Sequence, residues 1–113
     1  MDGAVNVDHI ARVVLVAVDA TGDRTPFVCG IGRPAREPTG EWRCAVSLEG
    51  LHDDLVAMHG EDGRQALCLA LGLAASLLRS FSASGGTIEF AEGEEFLLEA
   101  YFGWFGSPTA PAD

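Results

Sequence analysis

Apolar side chains recur at alternate positions in several segments and at helical spacing in one, which predicts strands and a helix. Residues 10–19 (IARVVLVAVD) are rich in valine and predict the first strand. Because apolar groups occur on both of its faces, we expect this strand to be central and covered on two sides. Gly and Asp in residues 20–24 predict a turn, so residues 27–32 (FVCGIG) complete a hairpin.

A third strand is predicted from the clean alternation of residues 41–49 (EWRCAVSLE), after a loop over residues 33–40 that contains two prolines. Its side chains divide into an inward set (Trp42, Cys44, Val46, Leu48) and an outward set (Glu41, Arg43, Ser47, Glu49). In the second strand, Gly30 and Gly32 leave one face bare, which predicts a bulge or the close approach of another backbone.

One long helix is predicted from Asp62 to Phe81, with Asp62 as N-cap and Gln65 placed as in a capping box. Apolar residues form two stripes along it (Leu67, Leu71, Ala74, Leu78 and Ala66, Leu69, Leu73, Leu77), with small residues at Ala70, Gly72 and Ala75. One sheet would bury only one stripe. We therefore expect the remainder to pack on the C-terminal segment or on a second subunit.

After the helix, residues 87–91 (TIEFA) predict a strand and residues 92–94 a turn, which together indicate a second hairpin. For the last segment, EEFLLEAYFGWF, we favour a strand with Phe96, Leu98, Ala100, Phe102 and Trp104 on one face, although it could also start as a helix. The predicted fold is α+β: an antiparallel sheet of about five strands, in the order β-β-β-α-β-β, with one long buried helix.

The length of 113 residues suits a single domain, which we place at residues 10–105, between flexible ends at residues 1–9 and 106–113. Ala66 to Leu78 falls short of a membrane span and predicts a buried core helix. Residues 1–7 do not resemble a secretory signal. Cys29, Cys44 and Cys68 are expected to be buried, reduced thiols. Together these features predict a cytoplasmic protein.

The net charge of −10, with seven arginines and no lysine, disfavours nucleic acid and anionic membranes as partners. Solubility alone accounts for such a charge, and a basic protein partner is the functional alternative.

The chemistry available for catalysis is sparse. His9 falls in the predicted flexible end, and the one local cluster is His52, Asp53, Asp54 and His59 in the connection before the helix. The spacing of these residues matches no established metal motif, so we favour a solvated connection over a metal site and expect no cofactor.

Five carboxylates fall in one eleven-residue window beside aromatic residues. The residues assigned to a partner-binding surface are Glu89, Glu92, Glu94, Glu95, Glu99, Tyr101 and Trp104. Carboxylates speed the encounter with a basic protein and aromatic side chains anchor it. The alternative is a charged hairpin edge that guards against aggregation.

The stretch from the third strand into the helix resembles an uncharacterised family of small, mostly bacterial domains. The resemblance rests on Trp42-x-Cys44, Gly50-Leu51 and Gly60-x-Asp62-x-x-Gln65-Ala66-Leu67, about a third of the chain. It supports the predicted fold and implies no activity or site.

Taken together, these features favour a small, non-catalytic protein-binding module, of which an immunity or antitoxin-like protein is the sharpest form. A homodimer is compatible with this hypothesis. The alternatives are a structural subunit of a larger assembly and, less favoured, a small metal-dependent enzyme using His52, Asp53, Asp54 and His59.

Overall fold

A computed structural model describes residues 9–53 and 55–102 and shows an α+β fold with two antiparallel sheets. The elements are β1 (His9–Val18), β2 (Arg24–Gly32), β3 (Ala35–Arg36), β4 (Trp42–Cys44), β5 (Val46–Glu49), β6 (Met58–Gly60), α1 (Gly63–Ala83), β7 (Thr87–Phe90) and α2 (Leu98–Phe102). The main sheet has the strand order β5-β2-β1-β7, and the small sheet has the order β3-β4-β6. The predicted fold class is thus confirmed, with a second sheet added.

The predicted first hairpin is present and β1 is central in the main sheet. β1 pairs antiparallel with β2, from Val18 opposite Arg24 to His9 opposite Gly32, and with β7 on its other side. The turn is closed by Asp19, whose Oδ1 accepts hydrogen bonds from the backbone N–H groups of Thr21 and Asp23. Leu15 is fully buried, whereas Val14 on the opposite face is 49% exposed. The expectation that both faces are covered is therefore wrong at Val14.

The predicted third strand is divided between the two sheets at Ala45. β4 pairs with β3 and β6, whereas β5 pairs with β2. Gly32 at the end of β2 donates its N–H to the carbonyl of Ala45 at 2.8 Å, which joins the sheets at this point. Pro34 follows, and a proline has no N–H with which to extend a ladder. The predicted inward set is nevertheless confirmed for Cys44, Val46 and Leu48, which are buried, whereas Trp42 is only partly buried against the same core.

Gly30 is covered by side chains from both neighbouring strands. A β-carbon at this position would lie 2.5 Å from Nε2 of His9 and 2.9 Å from Oγ of Ser47. These two side-chain atoms are themselves 3.3 Å apart. The close approach predicted at Gly30 is thus made by side chains. His9 belongs to β1, so its assignment to the flexible end is wrong.

Helix α1 begins where the sequence predicts and runs two residues further. Asp62 is the N-cap, and its Oδ1 accepts a 2.8 Å hydrogen bond from the N–H of Gln65. The Gln65 Oε1 accepts in turn from the N–H of Glu61 at 2.6 Å. The first bond satisfies an N–H group that the first helical turn would leave without a partner, and the second fixes the chain just before the N-cap. The chain turns away at Gly85, whose φ of +102° is readily adopted only by glycine.

Small residues form the face of α1 that packs on the sheets. Its buried residues are Ala66, Ala70, Ala74, Ala75 and Leu78. Most of its leucines lie beside this face and are only partly buried. α1 contacts strands of both sheets, so a single helix covers the core of the domain. The strand side chains that fill this core beneath α1 include Leu15, Phe27 and Leu48.

The length of α1 corrects one argument made from the sequence. Its 21 residues have a mean hydropathy of 1.7, so by length and composition the helix could cross a membrane. Only 28% of its apolar window is buried in the domain. Core helices of soluble proteins have the same length and hydropathy, and Ala66, Ala70 and Leu78 of α1 are fully buried in the domain.

The segment after β7 turns back as predicted but does not form the favoured strand. Gly93, with a φ of +101°, closes the turn, and Glu95 makes an isolated bridge with Glu89. Residues 98–102 then form α2, which was the alternative considered for this segment. Leu and Ala favour helix more than strand, and α2 packs against α1.

Candidate functional site

The predicted partner-binding residues lie around the turn after β7 and on α2. Glu92, Glu94 and Glu95 are exposed, as is Leu97, which is 59% exposed. Tyr101 is 58% exposed, and Trp104 lies outside the described residues. We call Glu92, Glu94, Glu95, Leu97 and Tyr101 the α2 surface.

An aromatic cluster holds Tyr101 in place. Its ring stacks on that of Phe96, with centroids 4.5 Å apart and an interplanar angle of 21°. Phe96 is only 5% exposed, and its N–H donates to the carbonyl of Ile88 at 2.8 Å. Phe90 meets both rings edge to face. A ring fixed in this way loses little conformational entropy when its exposed side contacts another molecule.

Two of the five predicted carboxylates are already engaged. Glu89 accepts a 2.9 Å hydrogen bond from Arg24, and Glu99 accepts from Nε of Arg79 at 2.7 Å. The hydrogen bond from Arg79 lowers the pKa of Glu99, and the same bond raises the pKa of Arg79. Glu92, Glu94 and Glu95 form no ion pair with the described residues. Within the predicted surface, the negative charge that is not already paired therefore lies on these three.

A shallow cleft of about 630 Å³ borders the α2 surface. It lies between the end of α1, the start of β7 and the start of α2. Its walls include Arg79, Thr87 and the segment from Glu95 to Ala100. Polar and apolar groups are mixed along the cleft.

The predicted His-Asp cluster does not assemble among the described residues. His52 makes a single bridge to Leu48, Asp53 is exposed, and Asp54 lies outside the described residues. His59 lies in β6 and faces Glu37 instead, with Nε2 3.5 Å from Oε1. One ligand atom each from Glu37, Glu41 and His59 lie within 4.8 Å of one another.

The backbone brings these three side chains together. Glu37 and Glu41 flank the turn between β3 and β4, where the N–H of Glu37 donates to the carbonyl of Glu41 at 2.7 Å. His59 stands opposite Arg43 in the β4–β6 pairing. Sequence analysis missed this group because β6 and its register were not predicted. The sequence feature that could have indicated this group is the placement of Glu37 and Glu41 on either side of Pro-Thr-Gly.

The positively charged side chain of Arg43 already contacts this group. Nε of Arg43 lies 3.3 Å from Oε2 of Glu37, on the carboxylate whose other oxygen faces His59. All of these side chains are about one third or more exposed. The arrangement can act as a surface ion-pair cluster that holds the short strands of the small sheet together, and a metal would compete there with Arg43.

The cysteines differ in environment. Cys29 and Cys44 are buried and free, and burial raises the pKa of Cys29 to about 11 and also raises that of Cys44. The thiol of Cys44 donates a hydrogen bond to the carbonyl of Gly32 at 3.3 Å. Neither thiol suits nucleophilic catalysis, because the thiolate is disfavoured. Cys68 is exposed, so the expectation that all three are buried is wrong for Cys68.

A family model described as "Domain of unknown function (DUF6968)" matches residues 11–98. No curated protein and no solved structure matches the chain significantly. The resemblance to an uncharacterised family of small domains is confirmed by the family match. The family description assigns no activity or site residue.

Proposed function

This chain belongs to the DUF6968 family of unknown function, and from its geometry we propose that it is a small, non-catalytic protein-binding module whose α2 surface binds a basic partner. The observation that carries the proposal is the exposed ring of Tyr101. That ring is fixed on buried Phe96 beside the exposed Glu92, Glu94 and Glu95.

Charge and aromatic contact have complementary roles in this proposal. The net charge of −10 attracts a basic protein at long range, and the exposed glutamates orient it near the surface. Tyr101 and Leu97 then supply the apolar contact that keeps the complex together. Tyrosine is among the residues that most often dominate binding energy, because it presents a large rigid ring and a hydroxyl.

The sharpest form of this proposal is an immunity or antitoxin-like inhibitor. A basic nuclease uses positive charge to hold phosphates, so an acidic surface can cover its active site without any chemistry of its own. Free buried thiols at Cys29 and Cys44 support a reducing, cytoplasmic setting for such a task.

The metal-dependent alternative has less support. Among the described residues His52 and Asp53 do not meet His59, and the carboxylate that does meet His59 already contacts Arg43. The structural-subunit alternative would use a different surface, the exposed side of α1 around Leu69, and does not compete with binding at the α2 surface.

The test is affinity capture of the tagged protein from an extract of its own source. Bound proteins are eluted in steps of increasing salt and identified by mass spectrometry. We expect a basic protein that elutes as salt rises, because screening weakens contacts between exposed charges. A partner that resists high salt, or one that is acidic, would contradict the proposed electrostatic mode.

Matched variants locate the surface. Replacing Glu92, Glu94 and Glu95 together by glutamine should abolish capture. The control replaces the exposed carboxylates Glu41, Asp53 and Glu61 by their amides, which changes the net charge equally. Tyr101→Ala should weaken capture more than Tyr101→Phe. Equal loss in both charge variants would mean that net charge alone acts and that the α2 surface is not the site.

A further inference from the structure

We propose that two copies of this chain associate through the outer side of α1, with the two helices packed antiparallel. The outer side comprises Cys68, Leu69, Gly72, Leu73, Ser76 and Ser80, which recur every three or four residues. α2 packs against another part of α1, and Leu98 is one of its partly buried contacts with the core. The outer side itself is left without a covering element among the described residues.

The chemistry of this side is unlike that of the rest of the surface. The chain has 17 acidic residues, yet α1 carries no charged residue between Arg64 and Arg79. Leu69 is 39% exposed, and Leu73 is only partly buried. An uncharged apolar helix face of this kind is usually buried against another molecule. Two copies can approach here without bringing carboxylates together, despite the net charge of −10 on each chain.

Gly72 gives an independent reason to expect close contact. Glycine destabilises a helix interior relative to alanine, so its use there needs an explanation. A β-carbon at Gly72 would meet nothing within 4 Å, so packing among the described residues does not require its absence. A second helix seated on the outer side would require it, since glycine lets two helix backbones approach closely.

The charges at the ends of α1 favour a second copy in antiparallel orientation. Arg64 lies in the first turn, at the positive end of its own helix dipole, and its side chain is 93% exposed although Nη2 lies 3.9 Å from Oδ2 of Asp62. The last turn contains no basic residue. A two-fold axis at the level of Ala74 places Gly72 opposite Ser76 and Arg64 opposite Ser84, the C-cap of the other copy. Each arginine then lies near the negative end of the partner helix.

A membrane fits this face less well than a second copy does. Ala66, Ala70 and Leu78 of the same helix are fully buried against the rest of the domain. α1 would have to leave both sheets in order to cross a bilayer, and the core would lose its only long helix among the described residues. The acidic chain is also repelled by anionic lipid surfaces.

The first test is the mass in solution, measured by sedimentation equilibrium over a range of concentrations. The native chain, of 11.9 kDa, should show a dimer. Gly72→Leu should shift the protein to monomer, with a dissociation constant raised at least about tenfold, while circular dichroism stays native because the site is open. Thr25→Leu adds a similar side chain to an exposed strand position and should leave the dimer intact. A native chain that stays monomeric, or a Gly72→Leu variant that dimerises equally well, overturns the proposal.

Oxidative cross-linking tests the orientation. In the antiparallel pair Cys68 lies opposite Ser80, so Ser80→Cys should give a linked dimer with bonds between Cys68 of one copy and position 80 of the other. The two positions are about 18 Å apart on one helix, too far for an internal bond. Peptide mapping that finds Cys68 joined to Cys68 instead overturns the antiparallel arrangement. Flotation of the native chain with phosphatidylglycerol vesicles would mean that the face binds lipid and would also overturn the proposal.

Discussion

Arg79 and Glu99 join the two helices through paired hydrogen bonds, Nε to Oε2 at 2.7 Å and Nη2 to Oε1 at 3.0 Å. The residues are 20 positions apart, and α2 is only five residues long. A helix of that length has little stability of its own, so its position depends on contacts with α1 and with the aromatic cluster. The α2 surface is thus held in place partly by an ion pair that lies beside it.

The first prediction concerns the effect of low pH on the packing of α2. The pKa of Glu99 is lower in the folded chain than its ordinary value of 4.5, so the pair stabilises the fold above that value and this contribution is lost as pH falls through the lower folded pKa. We expect α2 to loosen below about pH 4.5, as NMR signals of the Tyr101 ring would show. In Arg79→Gln the loosening should already be present at neutral pH. Identical Tyr101 signals in the two proteins would contradict this role.

The parts of the fold that sequence predicted are those set by nearby residues. Asp62 and Gln65 are three positions apart, and their capping bonds form within one turn. The Gly-Asp turn between β1 and β2 is equally local. The division of residues 41–49 at Ala45 depends on pairing with β2, β3 and β6, and alternation of side chains is the same whichever sheet a strand joins.

The candidate site shows the same limit. The carboxylates of residues 89–99 could be found from their density in the sequence, but their pairing with Arg24 and Arg79 depends on contacts across 65 and 20 positions. The meeting of His59 with Glu37 likewise requires the small sheet. At residues 98–102, the apolar alternation favoured a strand, whereas contact with α1 supports a helix.

The second prediction concerns thiol accessibility. Cys68 is exposed, whereas Cys29 and Cys44 are buried. In the folded chain, at concentrations low enough to keep it monomeric, a thiol reagent such as DTNB should therefore modify one cysteine rapidly and the other two only as the chain unfolds. Cys68→Ser should remove the fast phase and leave the slow phase unchanged. A fast phase that survives this substitution would mean that a buried thiol is more accessible than its position indicates.

The third prediction concerns alkaline pH. Burial raises the pKa of Cys29 from 9.0 to about 11, so folding favours the protonated thiol. This contribution is complete below pH 9.0 and is lost as pH rises toward 11, by an amount of about 2 to 3 kcal/mol. Denaturant unfolding between pH 8 and 11 should show the decline in the free energy of unfolding. In Cys29→Ala this free energy should be lower at pH 8 but should depend less on pH. Equal slopes in both proteins would exclude Cys29 as the cause.

The fourth prediction concerns the start of α1. Asp62→Ala removes the acceptor for the N–H of Gln65 and should lower the free energy of unfolding by about 1 kcal/mol. Asp62→Asn should restore most of the loss, because asparagine is also a good N-cap. Glu61→Ala is the matched control, since its side chain takes no part in the cap. An equal loss in Asp62→Ala and Glu61→Ala would point to the charge near the helix terminus rather than to the hydrogen bond.

The last prediction separates an ion-pair cluster from a metal site at Glu37, Glu41 and His59. Arg43 lies 3.3 Å from Glu37, so its positive charge opposes a second cation at the same carboxylate. Zn²⁺ should leave the melting temperature of the native chain unchanged. Arg43→Gln removes the competing charge, worth about 1 kcal/mol at an exposed site, and should strengthen Zn²⁺ binding roughly fivefold. His59→Gln in the Arg43→Gln background should abolish that gain, because imidazole is the strongest zinc ligand of the three. Stoichiometric Zn²⁺ binding by the native chain, lost in His59→Gln, would instead show that the metal displaces Arg43 and that the cluster is a zinc site.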